Sequence, residues 1–180
     1  MSATRRPAAF IDRDGTIVHD EGYMARPSQL RLIRNAANGL GRLAAMGYAL
    51  VVVTNQSGVG RGLITPRQMA AMTRRLRAML AARGVRLDGV YVCPHHPDDG
   101  CGCRKPKPGL LRRAAREMRL DLRRSVMIGD GARDVDAGRA AGAVAIQVTT
   151  GTKERTRADY LAKDLLDAAR WVTRLRQGRG

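Results

Sequence analysis

The sequence predicts a doubly wound α/β fold, a single mainly parallel sheet flanked by helices. Three observations predict it. Short apolar runs alternate with longer amphipathic stretches along the 180 residues, which is the pattern of βαβ units. Ala49 to Val53 is a continuous apolar run rich in valine, the mark of a strand covered on both faces. No internal repeat, low-complexity block or linker divides the chain, so one domain over residues 1–180 follows, with short basic tails at about 1–7 and 177–180.

The elements read in order as follows. Ala8 to Ile11 is a short strand that runs into acidic residues. Leu40 to Tyr48 is the end of a helix stopped at Gly47. After the strand Ala49 to Val53, Pro66 opens a helix to about Arg83, with Met69, Met72, Leu76, Met79 and Leu80 at helical spacing. Val90 to Val92 is the next strand, and a helix starts at Pro108 and runs to about Leu120. Val126 to Ile128 is a strand, Ala132 to Ala141 a helix closed by Gly142, and Val144 to Val148 a strand. Tyr160 to Ala162 is an edge strand before a final helix from Leu165 to about Arg176. Ligands in such folds sit beyond the carboxyl ends of the strands. Asp12, Thr54, Cys93 and Asp130 each follow a strand, so they are expected to converge on one sheet edge.

Composition narrows the function classes. Apolar residues make up 44% of the chain and aromatics only 3%, so the core must be aliphatic. No apolar run approaches the ~20 residues that span a bilayer, and no secretory h-region follows Arg5 and Arg6. Lys plus Arg number 33 against 16 Asp plus Glu, a net charge of +17, and only Lys105, Lys107, Lys153 and Lys163 are lysines. Such a field draws anions, but no aromatic RNP pattern or zinc-finger spacing accompanies it, so no specific nucleic-acid partner is expected. Cys93, Cys101 and Cys103 are the only cysteines. Their odd number and close spacing argue against a disulfide framework and fit a reducing, cytoplasmic setting.

Four constellations carry candidate chemistry. Asp12-Arg13-Asp14-Gly15-Thr16 sets two carboxylates two residues apart after a strand. One can be a nucleophile and the other a proton donor and acceptor, although the same residues also suit an acidic turn. Thr54-Asn55-Gln56-Ser57-Gly58 offers hydroxyl, amide and backbone N–H groups to a phosphate oxygen. In Arg104-Lys105-Pro106, a fixed ammonium can neutralise a transferring phosphoryl group. Gly129-Asp130-Gly131-Ala132-Arg133-Asp134 places two carboxylates at a helix start, where they can hold Mg²⁺ or cap the helix. Separately, Cys93, Cys101 and Cys103 with His95 form a Cys₃His set suited to structural zinc, with His96 as the alternative imidazole.

These motifs, in this order and at strand ends, resemble the haloacid dehalogenase (HAD) phosphohydrolase superfamily from Ala8 to about Gly151. Within it, Asp20-Glu21-Gly22-Tyr23, the run Val51 to Gly62, Cys93 to Pro97 and Cys103 to Gly109 resemble the heptose bisphosphate phosphatases. Histidinol-phosphatase domains share the zinc loop, and the short His95 to Cys101 segment looks more like theirs. Relatives often carry a basic residue where this chain has Gly131.

The resemblance implies a zinc-stabilised loop, no large cap domain and a monomer. It implies removal of the 7-phosphate of D-glycero-D-manno-heptose 1,7-bisphosphate, a small phosphorylated sugar, in the supply of activated heptose for lipopolysaccharide or surface-layer precursors. It makes Asp12 the nucleophile that becomes an aspartyl-phosphate, Asp14 the acid and base, and Thr54, Asn55 and Lys105 the holders of the phosphoryl oxygens. Mg²⁺ would bridge Asp12, the Asp14 carbonyl and Asp130, with Asp134 orienting Lys105 or a metal water. Arg13, Asp20, Glu21, Gly22, Tyr23, Gln56, Ser57 and Arg104 would meet the substrate, Arg104 gripping its distal part. Histidinol phosphate stays open as substrate, with Asp20 and Glu21 facing its amine. A polynucleotide end phosphate, or a non-catalytic zinc-stabilised module that binds nucleic acid, also stays open, as does the sugar anomer.

Overall fold

A computed structural model describes residues 5–152 and 154–178. Among them, six strands pair in parallel: β1 (Arg6–Ile11), β2 (Ala49–Asn55), β3 (Gly89–Cys93), β4 (Leu120–Gly129), β5 (Val144–Val148) and β6 (Tyr160–Ala162). The connections carry α1 (Ala36–Ala45), α2 (Ser57–Gly60), α3 (Pro66–Ala81), α4 (Gly109–Glu117) and α5 (Ala132–Ala141), and α6 (Leu165–Gln177) closes the chain. The sheet order is β3-β2-β1-β4-β5-β6, so the chain builds outward from β1 first on one side and then on the other. No described helix is long and apolar enough to cross a membrane.

Alternation along β1 explains the layers. Ala9 and Ile11 face a core completed by Leu40 and Leu43 of α1, Met72, Leu76 and Leu80 of α3, and Leu165 and Val172 of α6. Ala8 and Phe10 face the opposite core, against Leu110, Leu111 and Ala114 of α4 and Ala137 of α5. Phe10, Ile11, Leu43, Leu76 and Leu111 are fully buried, each contributing about 1.5–3 kcal/mol of transfer free energy. Thr65 caps α3 by accepting from the Gln68 N–H at 3.2 Å, with Pro66 in the first turn.

Several boundaries differ from the sequence expectation, and β2 runs past Val53 to take in Thr54 and Asn55. The first strand opens at Arg6, not Ala8. Arg6 donates to Gly47 O and Tyr48 O at 2.9 and 2.8 Å, so it is fixed in the structure and is not part of a tail. Residues 1–4 and 179–180 of the expected tails lie outside the described residues, and Gln177 belongs to α6. The helix from Pro108 ends at Glu117, not Leu120, because Arg119 takes a left-handed φ of 53° and turns the chain into β4. Leu120 and Asp121 then pair with Arg6 and Pro7, and a register shift follows where Ser125 Oγ accepts from the Ala8 N–H at 2.8 Å.

Candidate active site

The carboxyl ends of β1, β2 and β4 meet at one edge of the sheet, where the order reverses around β1. Asp12 is the first residue beyond β1, and its N–H donates to Ile128 O of β4 at 2.9 Å. Lys105 arrives from the segment after β3 with 2% of its surface exposed. Its ammonium lies 2.6 Å from Asp12 Oδ1, 2.6 Å from Asp134 Oδ1 and 2.8 Å from Val53 O. An ammonium has three protons, so these three acceptors use all of them. Asn55 holds the Lys105 backbone in a two-way clamp, donating to Lys105 O and accepting from its N–H, both at 3.1 Å.

Charge is concentrated there. Burial pushes Asp12 up to about 8, and Lys105 opposes that rise. Burial alone would lower Lys105, but Asp12 and Asp134 outweigh it and raise the ammonium above its ordinary value. Asp130, beyond β4, is raised to about 6, first by burial and then by the neighbouring Asp134. Its Oδ2 accepts from the Thr152 N–H at 3.1 Å. The backbones of Gly15 and Gly151 close on the same carboxylate so tightly that a Cβ on either would collide with it.

Candidate ligand oxygens of Asp12, Asp130 and Asp134 lie within 4.8 Å of one another. Three carboxylates sharing one ammonium leave excess negative charge in a largely buried place, and hard oxygen donors suit Mg²⁺. The residues therefore fit the ion. The Asp14 carboxylate is not in this cluster; its expected part was a backbone carbonyl.

Asp14 is instead gripped from the side. Arg13 donates from Nε and Nη2 to its two oxygens, both at 2.9 Å, and Gln56 Nε2 donates to Oδ2 at 2.6 Å. Gln56 Nε2 also reaches Thr54 Oγ1 at 2.8 Å, which ties the buried Thr54 hydroxyl to the same network. A bidentate fork of this kind fixes the carboxylate plane.

A cavity of about 430 Å³ opens over these groups. Asp12, Asp14, Asn55, Gln56, Ser57, Lys105, Asp130 and Asp134 line it, with Asp20, Gly22 and the half-exposed Tyr23 at the rim. Three residues expected at the substrate lie off the cavity lining. Arg13 is 4% exposed and turned inward, pairing with Asp14 and touching Met69 Sδ at 3.8 Å. Glu21 pairs with Arg31 at 3.6 Å and does not line the cavity. Arg104 is also outside the lining, with Nη1 buried and without a hydrogen-bond partner among the described residues. Thr54 lies beneath Gln56 and does not line the cavity either. Sequence reasoning missed Arg133, Thr152 and Glu154, which do line it. Arg133 lay inside the fourth motif, where its charge was the available signal, whereas Thr152 and Glu154 sit in an unpatterned loop after β5.

The second cluster follows β3. Cys93 Sγ lies 3.6 Å from His95 Nδ1 and 3.6 Å from Cys101 Sγ, while Cys103 Sγ lies 3.2 Å from His95 Nδ1 and 3.6 Å from Cys101 Sγ. Tetrahedral zinc at ~2.3 Å from sulfur sets neighbouring sulfurs ~3.8 Å apart, so the four residues fit that ion. The imidazole in this cluster is that of His95; His96 Nδ1 accepts from the Asp98 N–H at 3.2 Å. Burial and the two neighbouring sulfurs push the Cys103 thiol up to about 12, which disfavours the thiolate until a cation sits among the sulfurs.

The HAD-hydrolase-like family model matches residues 102–168. The D-glycero-beta-D-manno-heptose-1,7-bisphosphate 7-phosphatase of Photorhabdus laumondii is 42% identical over 170 residues, 90% of this chain and 90% of that protein. Its namesake in Escherichia coli K12 is 41% identical over 174 residues, 92% of this chain and 87% of that one. Among solved structures, the D,D-heptose 1,7-bisphosphate phosphatase of B. bronchiseptica, complexed with magnesium and phosphate, superposes with a TM-score of 0.86. It is 30% identical, over 94% of this chain and 99% of that one.

Proposed function

The chain belongs to the heptose-1,7-bisphosphate 7-phosphatase family of HAD-like hydrolases, and from that membership we propose that it removes the 7-phosphate of D-glycero-β-D-manno-heptose 1,7-bisphosphate. The relatives' names support the β anomer. The observation that carries the chemistry is Asp12 at the end of β1, 2.6 Å from the Lys105 ammonium, at the floor of a cavity that Asp14 also lines.

Asp12 is the nucleophile. Its carboxylate attacks phosphorus, the bond from phosphorus to the sugar oxygen breaks, and an aspartyl-phosphate forms. Asp14, held in one plane by Arg13 and Gln56, gives its proton to the departing sugar oxygen. It then takes a proton from a water that attacks phosphorus, which releases phosphate and restores Asp12. Asp12 and Asp130 would hold Mg²⁺, with Asp134 beside them and the Asp14 carbonyl as a further donor. When bound, Mg²⁺ draws charge from the phosphoryl oxygens and shields them from the anionic nucleophile. Lys105 keeps Asp12 in place and adds a fixed positive charge under the reacting group. Asn55, clamped to Lys105, and Ser57 present polar groups to the phosphoryl oxygens. The Cys₃His loop is a structural zinc site that fixes the segment carrying Lys105, and the enzyme works in the cytoplasm on a soluble sugar.

The test is a Mg²⁺-dependent phosphate-release panel: both heptose bisphosphate anomers, histidinol phosphate, fructose bisphosphate and a DNA end phosphate. The β-heptose bisphosphate is expected to give the highest kcat/KM. A higher value for histidinol phosphate or the DNA end would overturn the substrate assignment. Asp12→Asn is expected to lower kcat by about a thousandfold or more with the fold and the zinc retained. Turnover near that of the parent would remove Asp12 as nucleophile.

A further inference from the structure

The cavity's charges are unequally committed. Among the described residues six acids line it (Asp12, Asp14, Asp20, Asp130, Asp134 and Glu154) against two cations, Lys105 and Arg133. All three Lys105 protons are engaged by Asp12, Asp134 and Val53 O, so that ammonium has no open donor for a second anion. Arg133 is the reverse case. It stands in the first turn of α5, is exposed, and its side chain makes no hydrogen bond or ion pair among the described residues. Its neighbour Asp134 does pair, which leaves the guanidinium, among the described residues, as the lining cation with open donors.

A sugar bisphosphate brings two anionic groups into this space, and only one of them goes to the Asp12 end. The phosphate that is not cleaved needs its own cation, since Asp20 and Glu154 at the rim would otherwise repel it. A guanidinium fork matches a phosphate with two parallel N–H donors. We infer that Arg133 holds the phosphate that stays on the sugar, and so sets the preference for a bisphosphate over a monophosphate. The inference rests on the sugar bisphosphate reading above.

The experiment compares steady-state kinetics of the parent, Arg133→Ala and Arg133→Lys on the heptose 1,7-bisphosphate and on heptose 7-phosphate, with Mg²⁺ and zinc present. Arg133→Ala is expected to raise KM for the bisphosphate about 10- to 100-fold while moving kcat far less. The preference in kcat/KM for bisphosphate over monophosphate should fall by the same factor, and Arg133→Lys should recover part of it. A parent that prefers the bisphosphate and keeps that preference in Arg133→Ala overturns this inference alone. So does an equal loss on both substrates. A parent that releases no phosphate from the bisphosphate overturns the substrate reading and this inference with it.

Discussion

The Lys105 ammonium lies 2.6 Å from the Asp134 carboxylate and 2.6 Å from that of Asp12. One buried cation thus fastens the end of β1 to the first turn of α5. Removing a partner from such a cluster leaves buried charge uncompensated. Lys105→Met is expected to destabilise the metal-free protein by about 3–5 kcal/mol in urea denaturation. Adding Asp134→Asn to it should recover part of that loss, and a purely additive double variant would show that the two do not act together.

Arg13 tests whether a residue outside the cavity governs the chemistry inside it. Arg13→Met removes the fork on Asp14 and leaves only the Gln56 contact. The expected result is a fall in kcat of about 10- to 100-fold with KM within about twofold, read from full saturation curves. A rise in KM with kcat retained would instead return Arg13 to substrate contact.

Protons and Mg²⁺ compete for the same carboxylates. Asp12 rises from 3.8 to about 8 and Asp130 from 3.8 to about 6 in the folded chain, each mainly by burial. A carboxylate raised on folding binds its proton more tightly when folded, so its contribution to stability is lost as pH climbs toward the folded value. Magnesium-free, zinc-loaded protein is therefore expected to be about 1–2 kcal/mol less stable at pH 9 than at pH 6.5. Mg²⁺ affinity runs the other way, weakening below pH 8 and further below pH 6, with protons released on binding. Calorimetry in two buffers of different ionisation heat measures both the affinity and the proton count.

Zinc should be present at one per chain and matter for the loop that leads into Lys105. Cys103→Ser is expected to lose the metal and to lower the melting temperature by roughly 5–10 °C. Thiol titration with a zinc indicator, followed by thermal denaturation, reads both effects. Unchanged melting with zinc absent would make Cys93, Cys101 and Cys103 ordinary thiols.

Much of the site was legible because position along a strand dictates place in space. Asp12 and Asp130 follow strands of one parallel sheet and Thr54 lies at the carboxyl end of another, so their convergence followed from the alternation. The Cys₃His cluster was legible because Cys93, His95, Cys101 and Cys103 are close in sequence. Side-chain direction was not. Whether Arg13 points into the cavity or back toward Asp14 and Met69 is decided by packing against α3, which no spacing encodes. The early start of β4 was hidden too, because Asp121, Arg123 and Arg124 carry no apolar period, and only pairing with Arg6 and Pro7 makes that stretch a strand. Glu154 lay in a loop with no pattern at all.

The central place of β1 also bears on how the chain is born. Its first neighbour, β2, follows within about forty residues, but its second, β4, begins only at Leu120. Until then one edge of an apolar strand has its hydrogen-bonding groups open, a template for pairing with another chain. A fragment ending near Glu117 should therefore be sticky, and the ribosome must deliver β4 before the molecule loses its most adhesive edge.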